Sequence, residues 1–128
     1  MKQIKITDEI YGHDFTFLYE CSEQESIDHI RLTCDLEKEK QGNDATYFVL
    51  KTLKDDDVFE RFIVVNQKVT KFSVVVHEIF HYVHEVMNHI GLKLNDETEE
   101  AYAYFLEYIY KKILKAIEEQ RNESISKG

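Results

Sequence analysis

Apolar residues along this chain recur first at a spacing of two and then, over the last third, at a helical spacing. The runs "KQIKI" and "FTFLY" are rich in β-formers and are separated by a segment holding Asp8, Gly12 and Asp14, which predicts a hairpin. "ATYFVLKTL" and "VFERFIVVN" flank "KDDD" and predict a second hairpin with a charged turn. Between them "IRLTCDL" alternates Ile30, Leu32, Cys34 and Leu36, the pattern of a half-buried strand. The same region offers a helix start, because Ser22 and Glu25 have capping-box spacing. We favour a strand over residues 29–36.

From residue 72 the period changes. Phe72, Val75, Val76, Ile79, Phe80, Val83, Val86, Met87 and Ile90 follow the i, i+3, i+4, i+7 rule and predict an amphipathic helix. Thr70 is its expected N-cap, Val69 and Val74 its hydrophobic staple, and Gly91 its stop. A second helix is expected from Asp96, in a capping box with Glu99. Its stripe is Ala101, Tyr104, Phe105, Tyr108, Ile109 and Ala116, with Ile113 and Ile117 at the edge. Strands first and helices last predict an α+β fold, with N-terminal antiparallel strands packed on two C-terminal helices. At 128 residues one domain is expected, with a polar tail over about 118–128 that frays.

Composition narrows the function. A formal charge of −9 argues against nucleic acid as a partner, which takes a basic face. No apolar run approaches the roughly 20 residues that span a bilayer, so no membrane partner is expected. "MKQIKITDEI" has no apolar core of a secretory signal, and the cytoplasm is the expected compartment. Cys21 and Cys34 are not in a CxxC arrangement and read as reduced core thiols.

The chemistry gathers on the first helix. Four of the six histidines lie in "FSVVVHEIFHYVHEVMNHI". At about 100° per residue, His77, His81, His84 and Asn88 share one narrow face, roughly opposite the apolar stripe. Imidazoles at i and i+4 lie one turn apart and can reach one zinc ion at about 2.0–2.1 Å. Glu78 sits between them, placed to accept a proton from a water held by the metal. Six histidines and sixteen glutamates give an expected count of about 0.03 such His-Glu-x-x-His motifs in a random chain of this composition. A surface helix with spare histidines is the bland alternative. A third ligand is expected on the next element, where "DETEEAYAY" supplies Glu97, Glu99 and Glu100. Glu99 points away from the stripe and is engaged as a cap. Glu100 lies at the stripe's border and is preferred over Glu97, which sits in the first turn.

"HEIFH", eighteen residues, then "EAYAY" resembles the gluzincin pattern of zinc metallopeptidases, in which a glutamate on the following helix completes a His, His, Glu site. "HEIFHYVHEVMNHIGL" and "EAYAYFLEYIYKKI" are closest to small phage- and prophage-encoded zincin-like proteins, over roughly residues 60–117. The resemblance implies a zincin-like fold, zinc as cofactor, His77, His81 and Glu100 as ligands, and Glu78 as catalytic base. It also implies a peptide or protein substrate, held as an added strand on an exposed strand of the 46–65 region. The Asn-Glu-x-x-x-Ser-Asp motif of the large secreted gluzincins is missing, as is room for a second substrate-gripping domain. Tyr104, one turn after Glu100, is the candidate to stabilise the oxyanion, against a plain reading as a buried aromatic. His84 lies two turns, about 10.5 Å of rise, from His77 and is not expected to share its ion. His13, His29 and His89 read as surface or loop residues, the tyrosines as packing, and "KDDD" as a solvated turn. Two functions follow: a zinc-dependent hydrolase of metallopeptidase type, or a non-catalytic zinc-binding interaction protein in which the metal staples two helices.

Overall fold

The computed structural model describes residues 1–37, 42, 44–66 and 72–127. Both predicted hairpins form. β1 (Lys2–Thr7) pairs antiparallel with β2 (Asp14–Cys21), and β3 (Ala45–Lys51) pairs antiparallel with β4 (Phe59–Asn66). The two hairpins join through β2 and β4, which run parallel, so the sheet is mixed, in the order β1-β2-β4-β3. This corrects the all-antiparallel expectation. A parallel pair needs a crossover, and the segment between β2 and β3 supplies one.

That crossover contains a helix, α1 (Glu23–Arg31), where the alternation of Ile30 to Leu36 predicts a strand. The capping box decides the matter. Ser22 Oγ accepts the Glu25 N–H at 3.1 Å, and a Glu25 carboxylate oxygen accepts the Ser22 N–H at 3.0 Å. Two of the four orphan donors of a helix start are thereby satisfied, which stabilises it over an isolated strand. Ile27 and Ile30 are buried one turn apart, whereas Leu32, a core position in the strand reading, is 74% exposed. Only Cys34 keeps strand character, in an isolated bridge to Thr52.

The sheet separates two apolar layers. On one side Ile27, Ile30, Cys34 and Leu36 pack on Leu18, Phe62 and Val64. On the other, Phe15, Phe17, Ile63 and Val65 meet the two C-terminal helices, α2 (Phe72–His89) and α3 (Glu99–Lys127). Successive strand residues face opposite sides of a sheet. A register shift between Leu18 and Cys21, with Glu20 at φ 51°, interrupts that alternation and puts Cys21 in the α1 layer. Both cysteines are free and buried, as expected, and burial raises the pKa of both thiols.

The buried arc of α2 is turned relative to the sequence reading. It takes in Tyr82 and Glu78, and it leaves Phe80 and Ile90 each 39% exposed. The Thr70 cap and the Val69 half of the staple lie outside the described residues, as does the Phe72 side chain. Gly91 ends the helix as predicted, at φ +88°. Its N–H donates to Asn88 O at 3.0 Å and the Leu92 N–H to Met87 O at 2.8 Å, the paired bonds of a Schellman motif. A Cβ on Gly91 would meet nothing within 4 Å, so a substitution there costs backbone strain alone. Gly91→Ala is expected to lower stability by about 1 kcal/mol, seen as a lower urea midpoint at unchanged slope. An unchanged midpoint would contradict the left-handed stop.

α3 starts at Glu99, after a turn closed by Asn95. Asn95 Oδ1 accepts the N–H groups of Glu97 (2.9 Å) and Thr98 (3.1 Å), and Thr98 Oγ1 accepts the Asn95 N–H at 3.0 Å. These bonds close the turn over residues 95–98, and among the described residues no hydrogen bond pairs Asp96 with Glu99 as expected. The buried face of α3 is Tyr102, Phe105, Ile109, Ile113 and Ile117, with Tyr104 left 66% exposed. The helix continues to Lys127, and Gln120 ties it to the sheet, accepting from the Tyr19 hydroxyl and donating to Gln3 O at 3.0 Å.

Candidate metal centre

The rotation of α2 decides what its polar strip does. His77, His81 and His84 are exposed on one face, while Glu78 is turned inward and is only 8% exposed. One helical turn brings His77 and His81 ring to ring, centroids 4.9 Å apart and planes at 74°. Their Nε2 atoms face each other at 3.2 Å. Two nitrogens about 2.0–2.1 Å from one ion, at a tetrahedral angle, lie about 3.3 Å apart. The pair therefore fits two corners of a zinc site. In the metal-free chain one Nε2–H donates to the other nitrogen, which requires opposite tautomers at the two facing atoms.

Glu78 Oε1 lies 4.0 Å from His77 Nε2, and the carboxylate makes no hydrogen bond among the described residues. The carboxylate oxygens are not sealed from solvent: they border a cleft of about 360 Å³ lined by Asp44, Ala45, Ser73, Val74, His77 and Glu78. Asp44 and Ala45 bring the start of β3 to the helix. The expected strand at the cleft's border is thus β3, meeting it one residue before the 46–65 window.

The remaining predicted residues are not gathered there. Glu100 is exposed, on the first turn of α3. It precedes Tyr102 by two residues, about 200° around a helix. With Tyr102 buried against the core, the Glu100 side of the helix is turned outward. Glu97 is likewise exposed. Among the described residues no three His, Cys, Asp or Glu side chains are grouped to hold a metal. Tyr104, the oxyanion candidate, is on the outer face as well, which also overturns its plain reading as a buried aromatic. His84 packs beside Phe80 and Tyr102, with centroids at 6.0 and 6.3 Å. His89 packs edge-on to His13 at 5.7 Å.

One feature of the site has no local sequence signal. Arg61 on β4 grips Glu85 on α2 with two bonds, Nε–Oε2 at 2.8 Å and Nη2–Oε1 at 3.1 Å. Tyr47 on β3 donates its hydroxyl to the same carboxylate at 3.4 Å. Burial alone would lower the Arg61 pKa, but the bonds to Glu85 outweigh it and the guanidinium pKa is raised. Burial first, then the Glu85 charge, pushes the Tyr47 phenol far above its ordinary value, so it stays a neutral donor. The group fixes β3 and β4 to α2 one turn beyond His81.

No protein-family model matches this chain, and no curated protein or solved structure is significantly similar to it. Among the described residues no helix is long and apolar enough to cross a membrane.

Proposed function

We propose that this protein is a zinc-dependent hydrolase of gluzincin type that acts on peptide bonds, with a zincin-like arrangement of sheet and helices. The observation that carries the proposal is the His77–His81 pair, its nitrogens converging at 3.2 Å, with the Glu78 carboxylate 4.0 Å from His77 at a cleft. His77 and His81 would hold the zinc, which when bound would supply Lewis acidity to a water near neutral pH. Glu100 is the third ligand assigned to it, and that role requires the first turn of α3 to bring the carboxylate inward. Glu78 takes the proton from the attacking water and delivers it to the leaving amine. Its lack of other hydrogen bonds leaves the carboxylate available for both transfers. The edge of β3, bordering the cleft, holds the substrate in extended form. The outward position of Glu100 and Tyr104 favours a second reading, a zinc-binding interaction protein without catalysis.

Glu78→Gln separates the two. The substitution leaves every assigned ligand in place and removes the base. Zinc content should match wild type, and hydrolysis of any peptide that wild type cleaves should be lost. A glutamine variant as active as wild type sinks the assignment of the base. Zinc bound by both proteins with no hydrolysis across a broad peptide set establishes the non-catalytic reading.

A further inference from the structure

Apolar residues alone do not choose the observed roll of α2. At about 100° per residue, Phe80 and Glu78 flank Ile79 on opposite sides of the buried arc. Rolling the helix toward Phe80 would bury a phenylalanine and release a carboxylate. The structure does the reverse: Phe80 is 39% exposed, while Glu78 is 8% and Tyr82 0% exposed. Burial of apolar area favours covering Phe80, and desolvation opposes the burial of a carboxylate. An interaction on the Glu78 side of the helix must offset both.

Glu85 makes that interaction. Residues 78 and 85 are one heptad apart, a drift of about 20° around the helix, so the two carboxylates share a face. Arg61 and Tyr47 meet Glu85 there from neighbouring strands. Arg61 pairs with Val49 and Tyr47 with Ile63 in the β3–β4 ladder, so the two side chains are diagonal neighbours on one face of the sheet. Glu85 spans both strands, accepting from Arg61 Nε at 2.8 Å, from Arg61 Nη2 at 3.1 Å and from the Tyr47 hydroxyl at 3.4 Å. A two-pronged guanidinium–carboxylate pair fixes direction as well as distance, whereas apolar contact is non-directional. Two residues before Tyr47 on β3, Ala45 lines the cleft with Glu78. The clamp and the cleft therefore lie along one seam between β3 and α2.

We infer that Arg61, acting through Glu85, is a positioning residue that sets the roll of α2, holding the Glu78 side chain at the cleft and leaving Phe80 exposed. A buried ion pair adds little net stability over apolar residues of similar volume, and fixing one arrangement among several is its best-attested use. The inference deepens the proposed function by naming what places its base. That Glu78 is a base rests on that reading, and the roll does not.

The chain has no tryptophan and both of its cysteines are buried, so one introduced reporter of each kind reads one position. Phe80→Trp reports position 80 through acrylamide quenching, and Glu78→Cys reports position 78 through its rate of alkylation. Each reporter is placed in the metal-free full chain, once with the clamp intact and once with Arg61→Met and Glu85→Leu together. Without the clamp, quenching at position 80 should fall at least about twofold and alkylation at position 78 should rise at least about fivefold. Arg61→Lys, which keeps the charge and loses the fork, should move both readouts in the same directions by less. Opposite movement is the signature of a roll, because a general loosening of the fold would raise both. Urea midpoints are measured on the same proteins. The inference is overturned if neither readout moves, if both rise together, or if the double variant is less stable than Glu85→Ala, which would make the pair a support of the fold and nothing more. Neither readout involves zinc or hydrolysis. A roll that shifts as expected in a chain that binds no zinc removes the metal centre alone, and an unmoved roll in a chain that binds zinc and cleaves peptide removes this inference alone.

Discussion

His81→Ala is expected to abolish the proposed tight zinc binding and the zinc-dependent rise in Tm, while the metal-free variant should unfold where wild type does. The second half follows from exposure. His77 and His81 lie on the solvent side of α2, and exposed substitutions away from caps and cores stay within about 0.5 kcal/mol. The first half is mass action. A ligand at about 100 times its Kd stabilises the folded state by about 2.7 kcal/mol. For a chain of this length that corresponds to a rise of about 10 °C. His77→Ala should behave identically, and Glu100→Ala should weaken binding without abolishing it. His84→Ala, on the same face but paired with Phe80 and Tyr102, should keep both zinc and the rise. Calorimetry with and without zinc, beside metal analysis, reads all four. Equal zinc in wild type and the His77, His81 and Glu100 variants would remove the metal centre.

Glu85→Ala is expected to cost about 3 kcal/mol in the absence of any metal. The Arg61 side chain is only 14% exposed, and Glu85 accepts two of its N–H groups and the Tyr47 hydroxyl. Removing the carboxylate strands a half-buried guanidinium, and that loss of compensation exceeds the net value of the pair. Two comparisons isolate the cause. Glu85→Gln keeps a hydrogen-bond acceptor and should recover about half of the loss. Arg61→Met combined with Glu85→Leu removes both charges together and should be closer to wild type than Glu85→Ala alone. Urea unfolding of the set measures this. A cost below about 0.5 kcal/mol for Glu85→Ala would mean that the pair is solvent-screened and does not anchor the strands.

The misread α1 shows how local signals compete. Four alternating apolar residues over 30–36 look like a strand because period two is satisfied by any short mixed run. The Ser22–Glu25 box, visible in the same stretch, was the stronger signal, since it satisfies backbone donors that a strand start does not leave open. The face of α3 was ambiguous for a different reason. Tyr102, Tyr104, Phe105, Tyr108 and Tyr110 ring the helix closely enough that several arcs pass as apolar. Tyr102 wins because its ring enters the core and its hydroxyl reaches Leu92 O at 2.5 Å. That choice turns Tyr104 and Glu100 outward together.

What the sequence by itself determined lies within a few residues of chain: both hairpins, the two long helices, the Gly91 stop, and the pairing of His77 with His81 around Glu78. Each depends on interactions at i+1 to i+4, or on a turn, and those are written in adjacent letters. The tertiary structure alone decided the parallel junction of β2 with β4 and the grip of Arg61 on Glu85 across 24 residues. It also decided how far each helix is rolled about its axis, which turns Glu78 inward at the cleft and leaves Glu100 exposed. Helix roll is set by which side chains fill the layer between helix and sheet. That competition is between residues far apart in the chain, so no local pattern records its outcome.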